Sequence, residues 1–156
     1  MGKRNLEHPA LWFYYPGGTS RGNASAGSAV ENCVFSHTMS GGIEISGVGK
    51  AGLSIVGNIM HSTARFGVYI VGSFRKSGPH LNANDHIELR DNFVLDNIRS
   101  PLDSQDNYVA PFYRPFGSFI LEARPRNFMG NIAAGSTDIG FTMRPPLVPC
   151  GAAWEP

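Results

Sequence analysis

The feature that most constrains this chain is a weak internal repeat built around asparagine. Leu53-Ser54-Ile55-Val56-Gly57-Asn58-Ile59 aligns with Ile87-Glu88-Leu89-Arg90-Asp91-Asn92-Phe93. Arg126-Asn127-Phe128-Met129-Gly130-Asn131-Ile132 is a looser copy, and a fourth ends at Asn32-Cys33. After each Asn a second short apolar stretch follows: Gly42-Ile43-Glu44-Ile45, Gly67-Val68-Tyr69-Ile70 and Gly140-Phe141-Thr142-Met143. After Asn92 it is delayed and returns as Gly117-Ser118-Phe119-Ile120-Leu121. The unit reads as strand, Asn turn, strand, Gly-rich turn, with a period of about 25 residues, which lies in the solenoid range.

Each stretch alternates apolar with polar residues, so its apolar members line an interior and its polar members face out. Glu44, Tyr69, Glu88 and Thr142 are the expected outward members. Asparagine suits the bends because it tolerates left-handed backbone and bonds to nearby main chain. Stacked asparagines also hydrogen-bond to one another as a ladder. Asn58, Asn92 and Asn131 are therefore expected to form a structural turn ladder. Gly42, Gly67 and Gly140 fit tight bends or close packing between rungs.

These features predict an all-β fold, a right-handed parallel β-helix of about four rungs; a β-sandwich is the alternative, since short strands with Gly turns also suit it. Composition agrees: 19 Gly and 11 Pro without a collagen period imply many turns. No window of a dozen or more residues carries clean helical spacing. Residues 1–29 read as an irregular N-terminal cap, in which Leu11-Trp12-Phe13-Tyr14-Tyr15 is expected to cover an open hydrophobic end. Residues 30–143 hold the repeats, with a Pro-rich loop inserted near 99–116, and 144–156 form an extended tail.

The formal net charge is +1 and the basic residues are scattered, so the electrostatic footprint of a nucleic-acid binder is missing. Charged residues make up 16%, below the roughly 25% usual for soluble domains. The two cysteines, Cys33 and Cys150, lack metal-ligand spacing. A disulfide between them and two free, buried thiols are both compatible with the sequence. No secretory signal is visible, and the apolar run 11–15 is too short for a membrane span. The chain is expected to be intracellular or a fragment whose export signal lies elsewhere. The sequon Asn23-Ala24-Ser25 is compatible with secretion.

Asp85, Glu88 and Asp91 lie together on one rung and its turn, and paired carboxylates on a β-helix face are the usual means of glycoside cleavage. They are the candidate catalytic set for a polysaccharide-acting enzyme. Turn chemistry is the competing and favoured account of Asp85 and Asp91, and Glu44 should lie on a different sheet from Glu88. None of His8, His37, His61, His80 and His86 has a partner spaced for a metal site, so neither a metal nor a cofactor is expected. Tyr108, Phe112 and Tyr113, in the inserted loop, are candidate ligand-binding aromatics, as stacking faces for a glycan or anchors for a protein partner.

The stretch Phe128-Met129-Gly130-Asn131-Ile132-Ala133-Ala134-Gly135-Ser136, followed by Ile139-Gly140-Phe141, resembles a motif in the parallel β-helix repeats of fibrocystin-like (polyductin) cell-surface proteins. Hyaluronan-binding cell-migration-inducing proteins carry similar repeats. Cys150 falls where such proteins often place a Cys after a short linker. The resemblance covers about the last third of the chain and implies a large extracellular, often membrane-anchored protein. This chain departs from that pattern in its length, its few cysteines and its lack of a membrane span. Solenoids need caps, so other chains, or a copy of this one, are the expected partners at the open ends. The expected role is a non-enzymatic structural or interaction module of an extracellular or cell-surface protein or assembly, with glycan binding as one form of it. The competing expectation is a polysaccharide-acting hydrolase or lyase, or a fragment of one.

Overall fold

In the computed structural model, residues 9–13, 28–45, 52–71, 87–98, 117–122, 125–137 and 139–143 are described. Their apolar alternation resolves into short parallel strands in three sheets. Sheet A contains β1 (Leu11–Phe13), β4 (Ile43–Ile45), β7 (Phe66–Ile70), β10 (Gly117–Leu121) and β13 (Phe141–Met143) in that order. Sheet B contains β2 (Ser28–Glu31), β5 (Leu53–Val56), β8 (Ile87–Arg90) and β11 (Asn127–Met129). Sheet C contains β3 (Val34–Ser36), β6 (Ile59–His61), β9 (Phe93–Leu95) and β12 (Ile132–Ala134). Each strand pairs with the strand three places on, which is the connectivity of a parallel β-helix with four rungs, each running B, C, A.

The sequence resolves two strands per rung, whereas the structure has three. The additional strand follows directly on each corner residue of the Asn column, where the sequence pattern shows only a turn. At three residues it is too short for its alternation to stand out, and its outward members are themselves apolar.

The core is a stack of in-register rows. Val30, Ile55, Leu89 and Phe128 form the row from sheet B, and Phe35, Met60, Val94 and Ala133 the row from sheet C. Sheet A supplies Ile43, Val68, Phe119 and Phe141, beside Ile45, Ile70, Leu121 and Met143. Ile43, Ile45, Ile55, Met60, Val68, Ile70, Leu89 and Val94 are fully buried. Each such side chain stabilises the fold by roughly 1.5–3 kcal/mol relative to leaving it exposed.

Glycine is required where the chain enters sheet A. A Cβ on Gly67 would lie 2.5 Å from Val94 Cγ2 and 2.9 Å from the Ser118 carbonyl oxygen of the next rung. The missing side chain thus admits both the opposite sheet and the neighbouring rung.

Within the segment expected to be irregular, Leu11–Phe13 forms β1 and pairs with β4. Leu11 and Phe13 pack on the core while Trp12 faces outward. Repeat structure begins at Ser28, two residues before the expected boundary. The expected inserted loop falls between β9 and β10, and the residues that flank it, Ile98 and Gly117, are held together through Arg65. The Arg65 N–H donates to the Ile98 carbonyl at 2.9 Å, and the Gly117 N–H donates to the Arg65 carbonyl at 2.9 Å. Residues 99–116, like the expected tail at 144–156, lie outside the described residues.

Candidate functional site

The first corner, between sheets B and C, is built on two adjacent columns. The outer one holds Asn32, Gly57, Asp91 and Gly130, all with positive φ between 53° and 66°. The inner one holds Cys33, Asn58, Asn92 and Asn131. The left-handed conformation expected at Asn58, Asn92 and Asn131 falls instead on the residue before each one. Asn32 accordingly belongs to the outer column, and Cys33 takes the ladder position of the first rung.

With the backbone bend made next door, each amide is free to bridge rungs. Asn58 Nδ2 donates to Asn92 Oδ1 at 2.9 Å and to the Val30 carbonyl at 2.9 Å. Asn92 Nδ2 donates to Asn131 Oδ1 at 2.9 Å and to the Ile55 carbonyl at 2.9 Å. Asn131 Nδ2 donates to the Leu89 carbonyl at 2.8 Å. The Oδ1 atoms also accept main-chain N–H groups: Asn58 from Cys33, Asn92 from Asn58, and Asn131 from Asn92. Asn58 and Asn92 are fully buried with these bonds made, so the ladder is occupied by structural bonding.

A second polar column, which the sequence reading missed, lies five positions on, at the corner between sheets C and A. It holds Thr38, Thr63, Asn97 and Ser136. Asn97 Nδ2 donates to the Thr63 carbonyl at 2.7 Å and contacts Thr63 Oγ1 at 3.3 Å. The constant spacing from the first column was the available signal. It is hard to notice because three residue types share the column.

Of the candidate catalytic carboxylates, Asp85 lies outside the described residues. Glu88 points outward from β8, where Arg90 Nε approaches Glu88 Oε1 to 2.6 Å and Asn127 Nδ2 donates to the same oxygen at 3.5 Å. Asp91 sits in the outer column, packed against the backbone of Gly130, with Arg90 Nη1 4.0 Å from its Oδ2. One guanidinium therefore lies between both carboxylates. Glu44 lies on sheet A, on a different face from Glu88 on sheet B. Tyr108, Phe112 and Tyr113 lie outside the described residues.

The second corner brings together His61 and Asp96, with Nε2 to Oδ2 at 3.3 Å, and places the His37 ring 5.7 Å from that of His61. Among the described residues, no group of three or more His, Cys, Asp or Glu side chains is arranged to hold a metal ion. Cys33 is a free, exposed thiol whose Sγ donates to the Glu31 carbonyl at 3.3 Å. Of the two states compatible with the sequence, Cys33 is a free thiol, but exposed rather than buried: it lies at the corner between β2 and β3, the edge strands of sheets B and C among the described residues.

The least satisfied surface is apolar. The outward residues Val34, Ile59, Phe93 and Ile132 of sheet C form one in-register column, all at least 40% exposed. At Ile132 this column reaches the last rung. There the interior positions Phe141 and Met143 are 46% and 68% exposed, whereas their first-rung counterparts Ile43 and Ile45 are fully buried. Phe141 stacks on Phe119, with ring centroids 5.1 Å apart, and meets the Phe128 ring edge-on. Among the described residues, no strand pairs with the outer edges of β11, β12 and β13. No family model, curated protein or solved structure matches this chain.

Proposed function

We propose that this chain is a non-enzymatic structural and interaction module that works within a larger assembly through the open end of its fourth rung. The observation that carries this reading is the exposure of Phe141 and Met143 in positions that every other rung buries. Three strand edges beside an apolar interior form a surface that a partner's strands can complete. The likeness of residues 128–141 to repeats of cell-surface proteins supports an extracellular setting. The engagement of Glu88 and Asp91 by Arg90 argues against a catalytic carboxylate pair there.

Light scattering on natively purified material tests the proposal. A particle many times 16.9 kDa is expected. A native particle near 16.9 kDa that cleaves polysaccharide would overturn it in favour of the enzyme reading.

A further inference from the structure

The second corner stacks a column of residues with left-handed backbone, His37, Ser62, Asp96 and Gly135, one from each rung. Main-chain bonds between rungs pin this column. The His37 N–H donates to the His61 carbonyl at 3.1 Å, the Ser62 N–H to the Leu95 carbonyl at 3.0 Å, and the Asp96 N–H to the Ala134 carbonyl at 2.9 Å. His61 ends β6 and alternates with the buried Met60, so its ring stands outside, beside the column.

The side chains here have an internal order. A Cβ on Gly135 would collide with Asp96 Oδ1, so the bare glycine backbone seats that oxygen. The other oxygen, Oδ2, lies 3.3 Å from His61 Nε2. A neutral His61 that gives its Nε2 hydrogen to this carboxylate carries its lone pair on Nδ1. A carboxylate behind one ring nitrogen and a lone pair on the other is the arrangement that orients metal-bound histidines. The exposed His37 ring stands across from His61, with centroids 5.7 Å apart and planes at 80°. Imidazole centroids lie roughly 3.2 Å from a bound zinc or copper ion, so two rings at the tetrahedral angle stand about 5.2 Å apart. A small turn of the His37 side chain closes that difference.

We infer that His37 and His61 together bind one borderline divalent transition ion, of the zinc and copper(II) class, across the first two rungs, with Asp96 orienting His61 from the third. Two side chains are fewer than a closed structural site takes, so the other coordination positions are open to water. Ser62 Oγ, 3.4 Å from His61 Nδ1, offers an oxygen beside them. Imidazole ligands favour copper(II) over zinc and leave magnesium unbound. Both ligands lie on the first two rungs, away from the open end of the fourth.

Isothermal titration of the purified, tag-free full chain with copper(II), zinc and magnesium chlorides tests this, beside His37→Asn, His61→Ala and Asp96→Asn. Asparagine is chosen at 37 and 96 because it tolerates the left-handed backbone there. Circular dichroism checks that each variant keeps the fold. The wild type is expected to bind copper and zinc, copper more tightly, and no magnesium. Its melting temperature should rise with zinc, since the ion ties two rungs together only in the native state. His37→Asn and His61→Ala should each lose one equivalent of bound ion and the rise in melting temperature. Asp96→Asn should weaken zinc binding roughly tenfold. If one histidine variant does not fold, the other decides. Binding that persists unchanged in a folded His37→Asn or His61→Ala chain places the ion on other side chains and overturns the inference. A wild type that takes up neither zinc nor copper overturns it as well. Full affinity in Asp96→Asn overturns the orienting role of the third rung.

Discussion

Asn92 donates its side-chain amide to Asn131 Oδ1 at 2.9 Å and accepts the amide of Asn58 at the same distance, so one buried side chain ties three rungs together. It also donates to the Ile55 and Arg90 carbonyls, both at 2.9 Å. Truncating it leaves those carbonyls and the Asn58 amide short of partners in a site without water access. Asn131, on the last described rung, bonds only to the rung of Leu89 and Asn92 among the described residues.

Asn92→Ala should therefore destabilise the fold by about 2–4 kcal/mol, and Asn131→Ala by about 1 kcal/mol. Urea unfolding of the two variants checks the ordering. Equal losses would mean that the ladder adds nothing at its centre.

Gly67→Ala should cost about 1–3 kcal/mol, because the added methyl group meets both Val94 and the Ser118 carbonyl. Adding Val94→Ala should recover only part of the loss, since the backbone oxygen stays in place. A double-mutant cycle on melting curves reads the coupling.

Ile98 and Gly117, which flank residues 99–116, are both bonded to the backbone of Arg65, whose φ is +66°. The corresponding place in rung 3 therefore needs one residue with left-handed backbone. Ile120 points away from the core cluster yet is fully buried, so the shortened chain should also carry Ile120→Thr, matching Thr142 beside it. With a single glycine in place of 99–116, the chain should keep cooperative urea unfolding within about 2 kcal/mol of the parent, because loop closure depends only weakly on length. Loss of cooperativity would show that the insertion completes the core.

Glu88→Gln should change stability by less than about 1 kcal/mol, since the pair with Arg90 is more than a third exposed on both sides. The same variant should leave any glycan-directed activity of the protein unchanged. Loss of such an activity with stability intact would reopen the enzyme reading.

Much of the fold was legible in the order of residues. The rows Ile43–Val68, Ile55–Leu89 and Ile45–Ile70 follow from strict apolar alternation at a recurring distance, a local pattern that burial reads directly. The ladder at Asn58, Asn92 and Asn131 was legible because one residue type recurs at one place. The strands of sheet C were not: Ile59, Phe93 and Ile132 are apolar yet face outward, which breaks the rule that locates a strand's inner side. The second polar column escaped because Thr63 and Asn97 do the same work with different side chains.

By itself the sequence determined that the chain coils into rungs, and where each rung bends, because alternation and turn chemistry act over a few neighbouring residues. Only the tertiary structure decided which bend residue takes the left-handed backbone and which carboxylates share Arg90. It also decided that β1 pairs with β4 and so covers the first rung of sheet A. Those outcomes depend on which rung lies above which, a relation between residues some 25–40 positions apart that local chemistry does not encode.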